Sequence, residues 1–425
     1  MGENLTGRGS AAKKNRTLHN FAVESRYKNR SEISSGSRWA RGRPSLIRKE
    51  QSYHKEARED LKCNESTFVI KAEYTNYAGK HWISQANVQA SVIESSQYEE
   101  QLKNDDKWTF DVIALERVTK KRPLLHAGLK ILRRFNVMEF LDIDDIIMCS
   151  WLALIEDNYH SSNTYHNSSH ATDVLQAAAY FLAKDKLRDS MEVIEQVSIL
   201  VAAIVHDIDH PGRTNSFITN SNGYLAVLYN DISVLESHHA SLAFRLTRKS
   251  DCVNIFQNVQ RDQYRSIREK IIDAVLATDM TKHFDHVSKF VSSFNDSAKP
   301  CLESADSRKL VSRMLIKCAD ISNPLRSRNL CIEWAKRISE EYFEQTEDEK
   351  EKGLPVMMAI FDRNCCNLGK AQTGFIDFII RDMFSAWDEV IPIPELITNL
   401  EDNYKFWKDE EERIEEERAQ ADETN

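Results

Sequence analysis

Glycine and proline are scarce in this chain, 12 and 8 of 425 residues, under half the average combined usage of roughly 12%. Few turn-makers, with abundant Leu, Ile, Ala, Glu and Lys, argue for long helices, and no sustained alternating strand pattern is visible. No apolar run approaches the roughly 20 residues of a membrane span. The N-terminus has no apolar signal-peptide core either, so neither a spanning nor a secreted class is indicated. The eight cysteines are scattered without a CxxC pair and read as reduced thiols in the cytosol. Neither GxGxxG nor GxxxxGK occurs, which removes the commonest glycine-rich phosphate loops. No internal repeat shows at solenoid periods.

Charge is plentiful but divided. Residues 1–62 hold 15 Lys+Arg against 7 Asp+Glu, and the remainder 42 against 59. A basic arm of net +8 thus precedes a body of net −17, and an acidic body gives no support for nucleic-acid binding. The arm is rich in Ser, Arg, Asn and Lys with few aliphatics, the composition of a disordered segment. It opens with Met1-Gly2-Glu3-Asn4-Leu5-Thr6, a loose match to the N-myristoylation pattern. It also carries Arg41-Gly42-Arg43-Pro44-Ser45, where a kinase could set a phosphate among arginines. Next, the β-formers Phe68, Val69, Ile70, Tyr74 and Tyr77 within Thr67–Trp82 predict a short strand pair or irregular packing. Val88–Asp105 reads as a polar linker, and from Trp108 the pattern is continuously helical.

The most informative stretch closes an apolar run. Val193, Ile194, Val197, Leu200, Val201, Ile204 and Val205 recur at helical spacing and lead into His206-Asp207-Ile208-Asp209-His210-Pro211-Gly212. This reads as a buried helix delivering a polar tip, stopped by Pro211 and Gly212. On a helix, His206 and His210 share one face, with Asp207 beside them. Burying two histidines and two aspartates requires hydrogen bonds or a cation. A second pair at the same spacing, His166 and His170, lies where the polar loop from Tyr159 enters a helix continuing through Ala183. Two such pairs within 45 residues fit a metal centre that draws ligands from separate elements. A further apolar helix, from Met314, ends on Asp320 before Ser322-Asn323-Pro324, and a buried carboxylate needs a counter-charge. His170, His206, Asp207 and Asp320 then make a set of nitrogen and oxygen donors suited to zinc, manganese or iron.

Glu236, near His238 and His239, is a candidate acceptor behind metal-bound histidines. His283 and His286 read as surface residues, and Glu347–Gly353 as a charged loop. Gln372 and Phe375 place an amide and a ring on one helical face. Glu401–Arg418 closes with an acidic helix whose charges form a solvated face.

Four motifs taken together carry a resemblance. Tyr165-His166-Asn167-x-x-His170, His206-Asp207-x-x-His210-Pro211-Gly212, Cys318-Ala319-Asp320-x-Ser322-Asn323-Pro324 and Gln372-x-x-Phe375-Ile376-Asp377 occur in this order. Order and spacing resemble the class I cyclic-nucleotide phosphodiesterases over about residues 108–408. Asn158–Asn163, His210–Phe217 and Cys331–Ala335 resemble the high-affinity cAMP-specific branch, whose members usually carry PAS domains. The resemblance implies an all-α fold, the compact multi-helix bundle of an HD-type catalytic domain. It implies that His170, His206, Asp207 and Asp320 hold a first ion, usually Zn2+, and that Asp207 bridges to a second, Mg2+ or Mn2+. It implies hydroxide attack on the phosphorus of 3′,5′-cyclic AMP, giving 5′-AMP. His166 would protonate the O3′ leaving group, Glu236 would set that histidine's protonation, and His210 would hydrogen-bond metal-bound water. Gln372 would meet the purine edge, Phe375 and Ile338 would clamp the ring, and Asn323 would add a second amide, with Tyr165 in the same substrate-facing set. The physics agrees: an anion attacked by an anion needs cations to neutralise the charge that develops.

There are departures. Leu330-Cys331 stands where some relatives place a tyrosine, and Lys370-Ala371-Gln372 replaces the commoner Lys-Ser-Gln. No PAS or GAF domain fits before the catalytic portion, as expected of a short isoform or truncated chain. The expected organisation is a basic, largely disordered region and linker at 1–107, the catalytic domain at 108–408 and an acidic tail at 409–425. The expected partners are the substrate and, through the arm, a regulatory kinase or anchoring protein; the expected location is the cytoplasm. Competing readings are a dual cAMP/cGMP enzyme, a zinc peptidase in which His206–His210 imitates HExxH, and an inactive helical scaffold. Pro211 directly after His210, and the surplus ligands at Asp320, His166 and His170, argue against the peptidase.

Overall fold

The computed structural model describes residues 67–89, 98–295 and 302–423. The myristoylation and kinase motifs lie outside the described residues. The expected strand pair is present: β1 (Thr67–Thr75) and β2 (His81–Gln89) run antiparallel, with Thr75 opposite His81 and Thr67 opposite Gln89. Strand β2 therefore reaches into the residues read as linker, and a helical turn, Glu99–Leu102, occupies their far end.

Helices build the rest. Helix α1 (Pro123–Arg134) starts on a proline, whose missing N–H is one the first turn leaves unpaired anyway. Helix α2 (Asp145–Glu156) is capped by Asp144, which accepts from the Ile147 N–H, and α3 (Ser168–Leu182) by Asn167, which accepts from Ser169 and His170. A reciprocal box between Glu192 and Glu195 opens α4 (Val193–Val205). Helices α5 (Val234–Thr247), α6 (Arg261–Ala277), α7 (Ala305–Asp320), α8 (Arg328–Glu351), α9 (Leu368–Phe375) and α10 (Pro394–Glu423) follow. Helix α4 is apolar on nearly every side, and a helix of that kind must lie inside; it is buried from Val197 to Val205. It packs on α3, α6 and α7, and α3 is itself buried along its whole length. The last residues of α4 and α7 and the first turn of α3 thus carry polar side chains to one place in the core.

Helix α9 lies against α10 so closely that a Cβ on Gly369 would sit 2.4 Å from the Glu411 amide nitrogen. Past Phe375 the chain takes a π-helical turn, Ile376–Ile380, before the helix resumes over Arg381–Val390.

Two expectations need correction. Helix α8 runs on through Glu351, so Glu347–Gly353 is mostly helix and not a loop, because its charges find tertiary partners. Asp348 meets Arg213 at 2.9 Å, Glu347 meets Arg363 at 2.9 Å, and buried Glu349 accepts from Gln345 and the Met357 N–H. The acidic helix expected over Glu401–Arg418 lies within α10, and Glu411 accepts from the Thr373 hydroxyl and Lys408, tying the acidic segment to α9. His283 is buried, not on the surface; burial and then the charge of Lys317 push it down to about 4.

Candidate metal centre

Helix α4 ends at Val205, and in the non-helical stretch that follows Asp209 takes a left-handed φ of +60° and Gly212 one of +68°. His206 and His210 therefore do not share a helical face, contrary to what their spacing predicts. His206 turns inward, and its Nδ1 lies 3.0 Å from the Ala203 carbonyl. Nδ1 can only donate to that carbonyl, so in the neutral ring Nε2 keeps its lone pair for a ligand. That Nε2 lies 3.3 Å from His170 Nε2 and 3.3 Å from Asp320 Oδ1. Asp207 Oδ2 is 3.1 Å from His206 Nε2 and 3.5 Å from His170 Nε2, which is 3.1 Å from Asp320 Oδ1. Four donors about 2.0–2.2 Å from one ion in a tetrahedral array stand roughly 3.3–3.6 Å apart. The donor types and these separations fit a divalent metal ion.

The electrostatics point the same way. Burial opposes ionisation of Asp207 and Asp320, but the charge of His206 and hydrogen bonds from His170 and His206 outweigh it and hold both carboxyls low. Burial likewise works against a charged His206, and Asp207 and Asp320 raise it well above the imidazole range. The cluster draws positive charge to its centre, where protons and a metal compete for the same lone pairs. The other oxygen of Asp207, Oδ1, faces elsewhere, 3.8 Å from His239 Nε2. Asp207, His210 and His239 form a second group of converging donors.

His166 lies just before α3 and outside the four-ligand set. Its Nδ1 contacts Glu341 Oε2 at 2.5 Å, while the Tyr165 and His166 N–H groups both donate to Glu341 Oε1 at 2.8 Å. Burial opposes the charged ring, yet Glu341 outweighs it and raises His166 above the usual imidazole value. The His210 ring stacks on His166 with centroids 3.9 Å apart. Burial, then the charge of His166, keeps His210 well below the usual value, and its Nδ1 accepts from the Gly212 N–H. Nε2 of the neutral His210 ring therefore carries the proton.

Glu236 was expected on His166, and that expectation is corrected. It sits in the first turn of α5 and accepts from Asn215 Nδ2 through both oxygens at 3.0 Å. Burial, then the charge of Asp279, pushes its carboxyl up to about 7. Glu341 holds the histidine instead, and the sequence carried a signal for it. Trp334, Ile338 and Glu341 recur at helical spacing on the inner face of α8, which sets a carboxylate on the stripe of two large apolar side chains.

The residues expected at the base lie on three elements. Asn323 follows α7; its Oδ1 accepts from the Tyr165 hydroxyl at 2.5 Å, and its Nδ2 lies 3.4 Å from Asp173. Asp173 is held in turn by the fully buried Arg326 at 2.9 Å. The Tyr165 ring leans on His170 at 4.4 Å. Gln372 is buried on α9, and its side chain makes no hydrogen bond among the described residues. Phe375 and Ile338 are half-buried against the core.

Comparison with known proteins adds an independent line. A family model described as 3′5′-cyclic nucleotide phosphodiesterase matches residues 165–402. The mouse "High affinity cAMP-specific and IBMX-insensitive 3′,5′-cyclic phosphodiesterase 8A" is 51% identical over 327 residues, 73% of this chain and 40% of that protein. The Drosophila melanogaster "High affinity cAMP-specific and IBMX-insensitive 3′,5′-cyclic phosphodiesterase 8" is 48% identical over 312 residues, 72% of this chain and 34% of that one. The chain therefore spans about two fifths or less of the length of these relatives. The crystal structure of the phosphodiesterase domain of the RhoPDE fusion protein from the choanoflagellate Salpingoeca rosetta superposes with a TM-score of 0.68 at 28% identity. That match covers 77% of this chain and 99% of that one.

Proposed function

We propose, from the premise that this chain belongs to the 3′5′-cyclic nucleotide phosphodiesterase family, that it hydrolyses 3′,5′-cyclic AMP to 5′-AMP in a metal-dependent reaction. The observation that carries this reading is the convergence of His170, His206, Asp207 and Asp320 beside His166, whose Nδ1 is clamped by Glu341. The compact nitrogen and oxygen set suits Zn2+. Asp207 Oδ1, facing neutral histidines, suits Mg2+ or Mn2+, which bind through one or two carboxylates and keep several waters. Bound divalent ions supply Lewis acidity and make hydroxide available near neutral pH.

The chain's own groups do the rest. As hydroxide adds to phosphorus, the P–O3′ bond breaks and O3′ takes the proton of the His166 imidazolium, leaving the 5′-phosphate monoester. Glu341 keeps that imidazolium charged and oriented; His210 offers an Nε2–H beside it; Glu236, its carboxyl pushed up to about 7 by burial and the charge of Asp279, is suited to hold or release a proton. Gln372 and Asn323 offer amides to the purine edge, and Phe375 and Ile338 offer apolar surface to its faces. Cyclic AMP is favoured over cyclic GMP because the mouse and fly relatives are named for it.

Within this reading residues 108–408 form the catalytic domain, and the basic arm is where a kinase or anchoring partner would act. The six cysteines among the described residues are free thiols, which fits the reducing cytoplasm. No helix among the described residues is long and apolar enough to cross a membrane. The test is side-by-side hydrolysis of cyclic AMP and cyclic GMP, with and without chelator. Turnover of cyclic AMP that chelator abolishes and divalent ions restore is expected. Faster cyclic GMP turnover at low substrate would overturn the selectivity, and casein cleavage without cyclic AMP turnover would overturn the reading.

A further inference from the structure

Asp209 is fully buried two residues after Asp207, and a buried carboxylate must find its hydrogen bonds locally. Two come from histidines: His160 Nε2 contacts Oδ1 at 2.6 Å, and His238 Nε2 contacts Oδ2 at 2.8 Å. The third comes from 132 residues away in sequence. The backbone N–H of Tyr77, in the turn between β1 and β2, donates to Asp209 Oδ2 at 3.0 Å.

The turn is built for this contact. Asn76 is buried, and its Oδ1 accepts from the Ala78 and Lys80 N–H groups, which shapes the loop from within. Gly79 takes a φ of +71° and lies so near Tyr224 that a Cβ would come within 2.9 Å of its ring. The Tyr77 ring sets its edge on His160, centroids 5.4 Å apart. The turn is thus wedged between the His160 loop and the helix that Tyr224 begins, behind the segment that supplies two metal ligands. That segment is also held at Ile208, whose carbonyl lies 2.6 Å from His239 Nδ1. The hairpin itself lies outside the family-matched span of residues 165–402.

We propose that the β1–β2 hairpin is a docked control element of the catalytic unit: its turn completes the hydrogen bonds of Asp209, steadies the His206–Asp207 ligand pair, and loosens the metal centre when displaced. This rests on the metal-dependent reading above. Groups that orient metal ligands from behind change metal affinity or activity by about 10–100-fold when lost.

The test uses the full chain loaded with Zn2+. Tyr77→Pro removes the donated N–H; Gly79→Val forces a β-branched side chain onto Tyr224 at a φ such residues avoid; Tyr77→Ala keeps the N–H and serves as the comparison. Metal release to an excess of chelator, and exchange of the amides of residues 206–210 in the metal-free protein, are followed alongside kcat and KM. Tyr77→Pro and Gly79→Val should release Zn2+ about 10–100-fold faster, expose the 206–210 amides and lower kcat with KM little changed; Tyr77→Ala, which keeps the N–H and loses only the ring's contact with His160, should shift release less than either. Should Tyr77→Pro unfold the hairpin outright, Gly79→Val carries the test. Equal release rates and unchanged exchange in both displaced variants would overturn the proposal while leaving the phosphodiesterase reading intact. Failure of the wild type to retain any divalent ion would instead overturn that reading, and the proposal with it.

Discussion

Two histidine–aspartate knots lie almost side by side in this molecule, built from the same residue types to opposite ends. Around Asp209 every contact is a donor meeting an acceptor: His160, His238 and the Tyr77 N–H converge on one carboxylate and satisfy it. Around Asp320 two imidazole Nε2 atoms face each other at 3.3 Å, with two carboxylates beside them. A saturated knot holds a fold together; an arrangement of facing lone pairs holds a cation. Sequence spacing alone does not separate the two, because both draw on the His206–His210 stretch. The sharpest way to break the distinction is Asp320→Ala. Bound Zn2+ should fall away and kcat/KM for cyclic AMP should drop on the order of 10³-fold, several kcal/mol of lost charge stabilisation at about 1.4 kcal/mol per decade. Metal analysis and turnover check it together, and chelator treatment of the wild type should reproduce the loss. Retained metal and turnover would mean the open knot is only another hydrogen-bond network.

Glu341→Gln probes the proposed acid, His166, rather than the knot, so its effect should be smaller: about 10–100-fold in kcat with metal content unchanged. The pH profile carries the sign. Glu341 raises His166, so in the wild type the imidazolium persists to higher pH and kcat falls as pH rises through that raised value. Without the carboxylate's charge, the alkaline fall should begin at lower pH.

The unequal legibility of the two knots has a physical cause. Helix α4 could be read because an apolar run with a polar end is local information, and the candidate ligands His170, His206, Asp207 and Asp320 sit at helix ends that caps and prolines mark. The shared face of His206 and His210 failed because the helix stops at Val205 and Asp209 turns left-handed, a choice made by tertiary donors. Glu341 was hidden in a charged helix, visible only as a carboxylate on the stripe through Trp334 and Ile338. Tyr77 carries no local mark, since its role belongs to the backbone N–H and its partner is 132 residues away. The helical class follows from composition, whereas the approach of α9 to α10 at Gly369 depends on a neighbour the local pattern does not name.

Asp209→Asn keeps the volume of the saturated knot and replaces one acceptor oxygen by a donor, which then faces an N–H. Thermal unfolding of the metal-free protein should show a loss of about 1–3 kcal/mol for the mismatched buried group, and Zn2+ affinity should weaken by about 10-fold. Metal-free stability separates the knots: Asp209 matters there because its partners are protein donors. An unchanged unfolding midpoint would remove the structural role assigned to it.

The mildest substitution marks where the open knot ends. Tyr165 leans on His170 and yet spends its hydroxyl on Asn323, whose other amide atom faces Asp173 and, behind that, the buried Arg326. Tyr165→Phe keeps the ring against His170 and removes one of the two tethers that fix the Asn323 amide. The lost hydrogen bond, about 1 kcal/mol, corresponds to roughly a 5-fold rise in KM for cyclic AMP. Kcat and Zn2+ content should hold, and the preference for cyclic AMP over cyclic GMP should narrow as the amide gains freedom to turn. Steady-state kinetics on both nucleotides, with metal analysis of the same sample, read all three quantities. A fall in bound Zn2+ with KM unmoved would place Tyr165 inside the metal knot, and the boundary between holding the ions and reading the base would have to be redrawn through its ring.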